Sequence, residues 1–268
     1  MTVGNYLEKL FSLEGKTAMV IGAAGAIASE AAACLSGAGA NLALCDLSSQ
    51  RLELILQRMS KKEKSACFEV DLLDDTSILK CVDQVLDRFG QIDILINCAG
   101  INKREGILDV KRETFDRIMG IQFSGVFMLS AEVVRRSMHK TGGKIVNVGS
   151  YTSSVAMGGS SVYGAAKCGI VSLTRSMCIE WAKFNIRANC ICPGHIRTEM
   201  TRPLWDDKNR TEWLLDRIAA DRPGTPEDLA GAFLFFSSPA SDYISGTMIN
   251  VDGGSVAGGK SYPFDTDY

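Results

Sequence analysis

The sequence predicts an α/β protein: one parallel sheet of seven strands, doubly wound, with helices on both faces. Two observations predict it. Short apolar, β-branched runs alternate along the chain with longer stretches of helical period, the pattern of βαβ units rather than of hairpins. The first run, "TAMVIG", opens into a small-residue loop and a helix, "AAGAIASEAAA", the place where a Rossmann-like sheet receives a dinucleotide.

In chain order, strands are expected at 17–22, 41–46, 65–70, 92–97, 143–149, 186–192 and 247–251. Helices fit 25–38, 48–60, 74–89, 111–139, 161–184 and 226–237. Gly90 closes the third helix. Thr225, Pro226 and Asp228 open the last one, with a hydroxyl cap, a proline in the first turn and a carboxylate three residues after the cap. The stretch 195–224, "HIRTEMTRPLWDDKNRTEWLLDRIAADRPG", breaks the alternation. A long polar excursion dotted with aromatic residues reads as a substrate lid, with a merely solvated insertion as the plain alternative. One domain therefore spans 13–254, between an N-terminal extension over 1–12 and a C-terminal tail over 255–268. In the extension, Leu7, Leu10 and Phe11 fit one helical turn able to lie against the body.

Composition narrows the function. A chain of 268 residues, 46% hydrophobic, suits one domain with a substantial core. Its 29 basic and 31 acidic side chains are interspersed, so no basic stripe grips nucleic acid or an anionic membrane, and neither is expected as a partner. Nine cysteines sit mostly inside apolar runs and read as small buried hydrophobes in a reducing compartment. Cys190 and Cys192 point to one face of a strand, but with only His139 and His195 in the chain no metal site is expected. The first residues lack the basic start and apolar core of a signal peptide, and no window is expected to approach the ~18 apolar residues of a membrane span. A cytoplasmic protein is the expectation.

In the loop after the first strand, Ala26 and Ala28 stand where a phosphate-binding loop usually has glycine. Backbone N–H groups and the helix end bind the anion, and alanine keeps both at no cost unless its backbone is left-handed. Asp46 closes the strand "NLALCD" where a carboxylate accepts hydrogen bonds from the adenosine ribose hydroxyls. A 2′-phosphate would meet like charge there, so NAD is expected in preference to NADP.

The segments "GKIVNVGS" and "SSVYGAAKCGI" put Ser150 just past a strand, and Tyr163 and Lys167 four apart on one helix face. The plain alternatives are a helix cap for Ser150 and a core tyrosine beside a solvated lysine. With "NCAG" at 97–100, "PGHIRT" at 193–198 and "NVDGG" at 250–254, the ordered set resembles the single-domain short-chain dehydrogenase/reductase family over roughly 13–254. Moving a hydride at a carbinol carbon requires a proton to move on oxygen, and an ammonium close to a phenol favours the phenolate that can exchange it. The resemblance implies Tyr163 as acid and base, Lys167 tuning it and holding the nicotinamide ribose, and Ser150 hydrogen-bonded to the substrate oxygen.

By the same resemblance the cofactor meets Gly22, Ala24, Gly25 and Ile27 in the loop, and Asp46 and Leu47 at the ribose. Asp71 and Leu72 flank the adenine; Asn97, Ala99 and Gly100 line the cleft with Tyr163 and Lys167. Pro193, Gly194, Ile196 and Thr198 lie about the nicotinamide carboxamide. One position departs from the family: in "RIMGIQFSGVF", Gln122 stands where asparagine usually supports a water linking the lysine to solvent. Glutamine carries the same amide on a longer stem, and so either keeps that relay or spoils it by about an ångström.

Within the family, "CIEWAKFNIRANCICPG" and "LLDRIAADRPGTPEDL" resemble gluconate 5-dehydrogenase and 2-deoxygluconate dehydrogenase types. That implies an NAD-dependent oxidoreductase of a secondary alcohol or ketone, in a sugar acid or polyol. Lys103, Arg104, His195, Arg197 and Arg202 are candidate cations for a carboxylate. Met200, Leu204, Trp205 and Trp213 equally suit an apolar pocket for a hydroxysteroid, bile acid or other hydrophobic ketone. A third reading, prompted by the two alanines and Gln122, is a catalytically weak NAD sensor or scaffold; the retained Ser150, Tyr163 and Lys167 oppose it. The helices at 111–139 and 161–184 are apolar on more than one side, and such faces form dimers and tetramers in the family, so a homotetramer is expected. The tail "YPFDTDY" either reaches a neighbour or stays disordered.

Overall fold

Strands buried on both faces need no alternation, and the sheet is built from such strands: all five residues of β1 (Thr17–Ile21) are buried, as are all four of β4 (Ile94–Asn97). A computed structural model describes residues 2–260. The other strands are β2 (Asn41–Asp46), β3 (Ser65–Glu69), β5 (Gly143–Val148), β6 (Ile186–Pro193) and β7 (Met248–Val251). They form one sheet of order β3-β2-β1-β4-β5-β6-β7, every pair parallel. The chain winds outward from β1 to β3, then restarts at β4 on the other side of β1. Strand order reverses there, and the carboxyl ends of β1 and β4 open a crevice.

Successive side chains of each strand go to opposite layers. Val20, Leu42, Leu44, Ile94 and Ile96 pack with Leu35, Phe233 and Phe236, under the helices Ala26–Gly37 and Glu227–Ser237. Met19, Ile21, Leu95 and Ile145 pack on the other face with Ile78, Val82, Leu129, Val133 and Met138. That layer belongs to the helices Asp75–Phe89 and Arg112–Thr141.

The 30-residue helix Arg112–Thr141 corrects one expectation, because it is long and apolar enough to meet the criterion for crossing a membrane. Its apolar residues Val126, Leu129, Val133, Val134 and Met138 are buried in the core, which explains the composition. It is not uniformly α-helical: Gly120–Ser124 and Val134–Met138 wind as π-helix, Gly125 N–H donating to Gly120 O five residues back. A Cβ at Gly120 would lie 2.4 Å from Leu73 Cδ2, and one at Gly125 2.5 Å from Leu72 O, so the chain after β3 rests directly on this wide turn.

Other boundaries shift. The helix expected over 48–60 spans Ser49–Leu56, and a 3₁₀ turn Lys62–Lys64 follows. The helix beginning at Ser161 is α-helical to Trp181 and tightens to 3₁₀ over Ala182–Phe184 before the left-handed Asn185. Gly90, at φ 78°, ends Asp75–Phe89. Thr225 does not cap through its hydroxyl; instead the Asp228 carboxylate accepts from Thr225 N at 2.8 Å, and Arg222 holds that carboxyl well below its usual range. The region expected as a lid folds into the helices Arg202–Trp205 and Lys208–Leu215, the second capped by Asp207, which accepts from Arg210 N at 3.0 Å. The extension is a helix, Val3–Phe11, with Leu7 exposed and Leu10 and Phe11 half-buried. The tail segment "YPFDTDY" lies outside the described residues.

Candidate active site

The crevice has two sides. On the first, Gly22 turns the chain out of β1 with φ 78°, and a Cβ there would lie 2.7 Å from Ala99 Cα, so glycine is required. Gly25 caps the helix that begins at Ala26, and Ala26 and Ala28 are ordinary right-handed helical residues. The two alanines therefore carry no backbone strain, and Ala28, 1% exposed, packs in the core. Asp46 ends β2 with both carboxylate oxygens engaged, one accepting from Ala24 N at 3.0 Å and the other from Leu47 N at 2.8 Å. Arg51 reaches Ala24 O at 3.4 Å on the same rim. Asp71 Oδ1 accepts from Leu73 N at 2.9 Å, beside the buried Leu72. Ile27 is partly buried against the core. Asn97 is buried between Ser130 Oγ at 2.9 Å and Asn147 Oδ1 at 2.8 Å, with its own Oδ1 unpartnered among the described residues. Pro193 ends β6, Gly194 packs on Asp252, the buried Ile196 bridges to Gly224, and Thr198 N donates to Thr201 Oγ1 at 2.9 Å.

On the second side, Ser150 follows β5 and opens the turn Tyr151–Ser153. Its Oγ accepts from Thr152 N at 3.1 Å, so the capping role and a place in the cavity coexist. Tyr163 and Lys167 are one turn apart on the helix Ser161–Trp181, with Lys167 Nζ 5.7 Å from the Tyr163 ring centroid. Lys167 is buried and donates to Val148 O at 2.8 Å; an ammonium has three donors, and two remain without a protein acceptor among the described residues.

Residues 22–256 match the family model described as enoyl-(acyl carrier protein) reductase. The 5-keto-D-gluconate 5-reductase of Escherichia coli (strain K12) is 33% identical over 249 residues, covering 92% of this chain and 98% of the relative. The 2-dehydro-3-deoxy-D-gluconate 5-dehydrogenase of the same strain is 37% identical over 260 residues, covering 92% and 98%. The chain belongs to the short-chain dehydrogenase/reductase family. A solved member, the gluconate 5-dehydrogenase from Burkholderia cenocepacia J2315 in complex with NADP and tartrate, superposes with a TM-score of 0.89 at 31% identity, over 94% of this chain and 99% of that one. The protein is thus an oxidoreductase of alcohols or ketones, with the nicotinamide-binding Rossmann-like fold of its family.

Against the usual family pattern, Gln122 lies in the first π segment and is fully buried. Its Nε2 donates to Ile101 O at 2.9 Å, while Oε1 faces Gly100 without a hydrogen-bond partner among the described residues. The amide is thus tied to the chain just after "NCAG".

A cavity of about 230 Å³ holds Ser150 and Tyr163. Of the five candidate cations, Arg104 and His195 line it. Lys103 pairs with Glu105, Arg202 with Glu199, and Arg197 is exposed, so these three are not in the cavity lining. Burial lowers the Arg104 guanidinium from its ordinary value, and its Nη1 donates to Ser160 Oγ at 3.3 Å. Burial first, then the Arg104 charge, pushes the His195 imidazole down to about 4, so it is neutral near pH 7. Met200, Leu204 and Trp205 form an apolar wall, whereas Trp213 stacks under Arg217, 3.5 Å from its ring centroid, away from the cavity lining. Asn102, Thr152 and Arg210 also line the cavity and were missed in the sequence; Arg210, in a stretch expected to be a lid, was the one with a signal. A wider groove of about 490 Å³ between Ile107, Phe115 and Val162 contains none of Ser150, Tyr163 and Lys167.

Proposed function

We propose that the protein is an NAD-dependent dehydrogenase interconverting a secondary alcohol and a ketone in a sugar acid or polyol. One observation carries the substrate class: Arg104 lines the cavity of Ser150 and Tyr163, its Nη1 donating to Ser160 Oγ at 3.3 Å, and makes no ion pair among the described residues. A guanidinium at the cavity wall without a carboxylate partner is matched by a substrate that brings one. The relatives named for gluconate and its keto forms support the same class.

The residues on the first side suit a dinucleotide, because the turn at Gly22 leads directly into the N-terminus of the helix Ala26–Gly37, whose first N–H groups suit a phosphate. Bound nicotinamide supplies the hydride acceptor or donor. Tyr163 takes the proton from the alcohol oxygen, or returns it to the ketone oxygen. Ser150 orients that oxygen by a hydrogen bond, and Lys167 places its ammonium beside the phenol with donors free for the nicotinamide ribose. Gln122 supports this arrangement through the loop at Ile101.

Asp46 supports NAD over NADP, since a 2′-phosphate brings negative charge to its carboxylate, while Arg51 on the same rim favours the opposite choice. Steady-state kcat/KM with each cofactor decides between them: a preference for NADPH overturns the NAD reading. Exposed Phe127, Met128 and Ile179 on the two long helices support a homotetramer, which sedimentation velocity tests directly. The substrate reading is tested with sugar acids against hydroxysteroids, following NADH. Turnover is expected with sugar acids, and faster oxidation of a hydroxysteroid overturns the reading.

A further inference from the structure

Three residues of the substrate cavity each carry a buried polar atom without a hydrogen-bond partner among the described residues: Asn102 Oδ1, Thr152 Oγ1 and His195 Nε2. They come from three different segments, after β4, after β5 and after β6. Their neighbours hold them in place. Asn102 Nδ2 donates to Ser160 Oγ at 3.4 Å, Thr152 N to Ser150 Oγ at 3.1 Å, and the His195 ring lies on Tyr151 with centroids 4.8 Å apart.

Buried polar atoms are nearly always hydrogen-bonded, because lost solvation is otherwise uncompensated. Three of them, on residues that line the cavity with Ser150 and Tyr163, match a ligand that brings several hydroxyl groups. His195 suits hydroxyls rather than a second anion. Its ring is neutral near pH 7 because burial and the Arg104 and Arg217 charges outweigh Asp252, and a neutral imidazole offers one donor and one acceptor. A hydrophobic ketone whose only oxygen is at the reacting carbon leaves all three atoms unmet.

We propose that Asn102, Thr152 and His195 are specificity-determining residues that read the hydroxyl groups of a polyhydroxylated substrate chain, while Arg104 takes its carboxylate. This rests on the sugar-acid reading above. Thr152→Val removes one oxygen at constant shape, His195→Phe keeps a ring on Tyr151, and Asn102→Leu removes the amide. KM and kcat are measured for D-gluconate, its 2-deoxy analogue and a hydrophobic ketone, with NAD affinity by fluorescence titration as the check on folding.

Each variant is expected to raise KM for D-gluconate about 10-fold with a smaller fall in kcat, and at least one narrows the discrimination against the 2-deoxy analogue. Wild-type KM values in all three variants overturn the inference and leave the sugar-acid reading standing. Equal losses with D-gluconate and the hydrophobic ketone also overturn it, since they assign the residues to packing. Failure of the wild type to turn over D-gluconate or its 2-deoxy analogue removes the reading and the inference together.

Discussion

The two sides of the crevice are made of different material. Around β1 and β2 the surface is backbone: the turn at Gly22, the cap at Gly25, and N–H groups of Ala24 and Leu47 held on Asp46. On the other side it is side chain: Ser150, Tyr163, Arg104, Thr152 and His195, gathered from segments far apart in sequence. The first side restricts residue size at fixed places and tolerates many identities. The second depends on particular atoms, and each can be changed without disturbing the first.

Tyr163→Phe is the most severe test of that division. Turnover should fall by about 10³, within the range of general acid–base catalysis, with a far smaller change in NAD affinity. An NAD dissociation constant raised as steeply as kcat falls would break the comparison. Gly22→Val should do the reverse, weakening NAD by about 10² because its Cβ meets Ala99 at 2.7 Å and its φ is 78°. Calorimetric titration measures it. Arg104→Leu should raise KM for a sugar acid about 10-fold or more, the loss of a charge-assisted hydrogen bond, with NAD binding as in the parent.

Gln122 lies between the two sides and should behave accordingly. Gln122→Leu strips the donor from Ile101 O and is expected to cost about 1–3 kcal/mol in urea unfolding as well as turnover, whereas Gln122→Asn stays active. Equal activity in both removes Gln122 from the mechanism. The smallest effect is expected for Ala28→Gly: about 1 kcal/mol of stability lost from a helix interior, and little change in NAD affinity.

Much of this was legible before any coordinates. The alternation of strands and helices, and the spacing of Ser150, Tyr163 and Lys167, follow from local patterns that the fold merely brings together. What depends on direction was not legible. Arg197 and Arg202 lie within the expected lid, 195–224, yet are absent from the cavity lining, while Asn102 and Thr152 are ordinary polar loop residues until folding brings them to one cavity. Helix ends moved where 3₁₀ and π turns replaced regular winding, which periodicity alone does not reveal. The helix Arg112–Thr141 reads as membrane-like because a core helix and a spanning helix share one composition.

The widened turn at Gly120–Ser124 makes this helix a shared axle. Its outer surface bears the strand-to-helix passage at Leu72 and Leu73, and its buried amide grips the passage at Ile101. Removing a single residue there would restore 3.6-residue winding and swing one grip by about 100° relative to the other. Natural variation in this family should therefore treat that turn as a unit, lengthening or shortening it only together with both of the loops it carries.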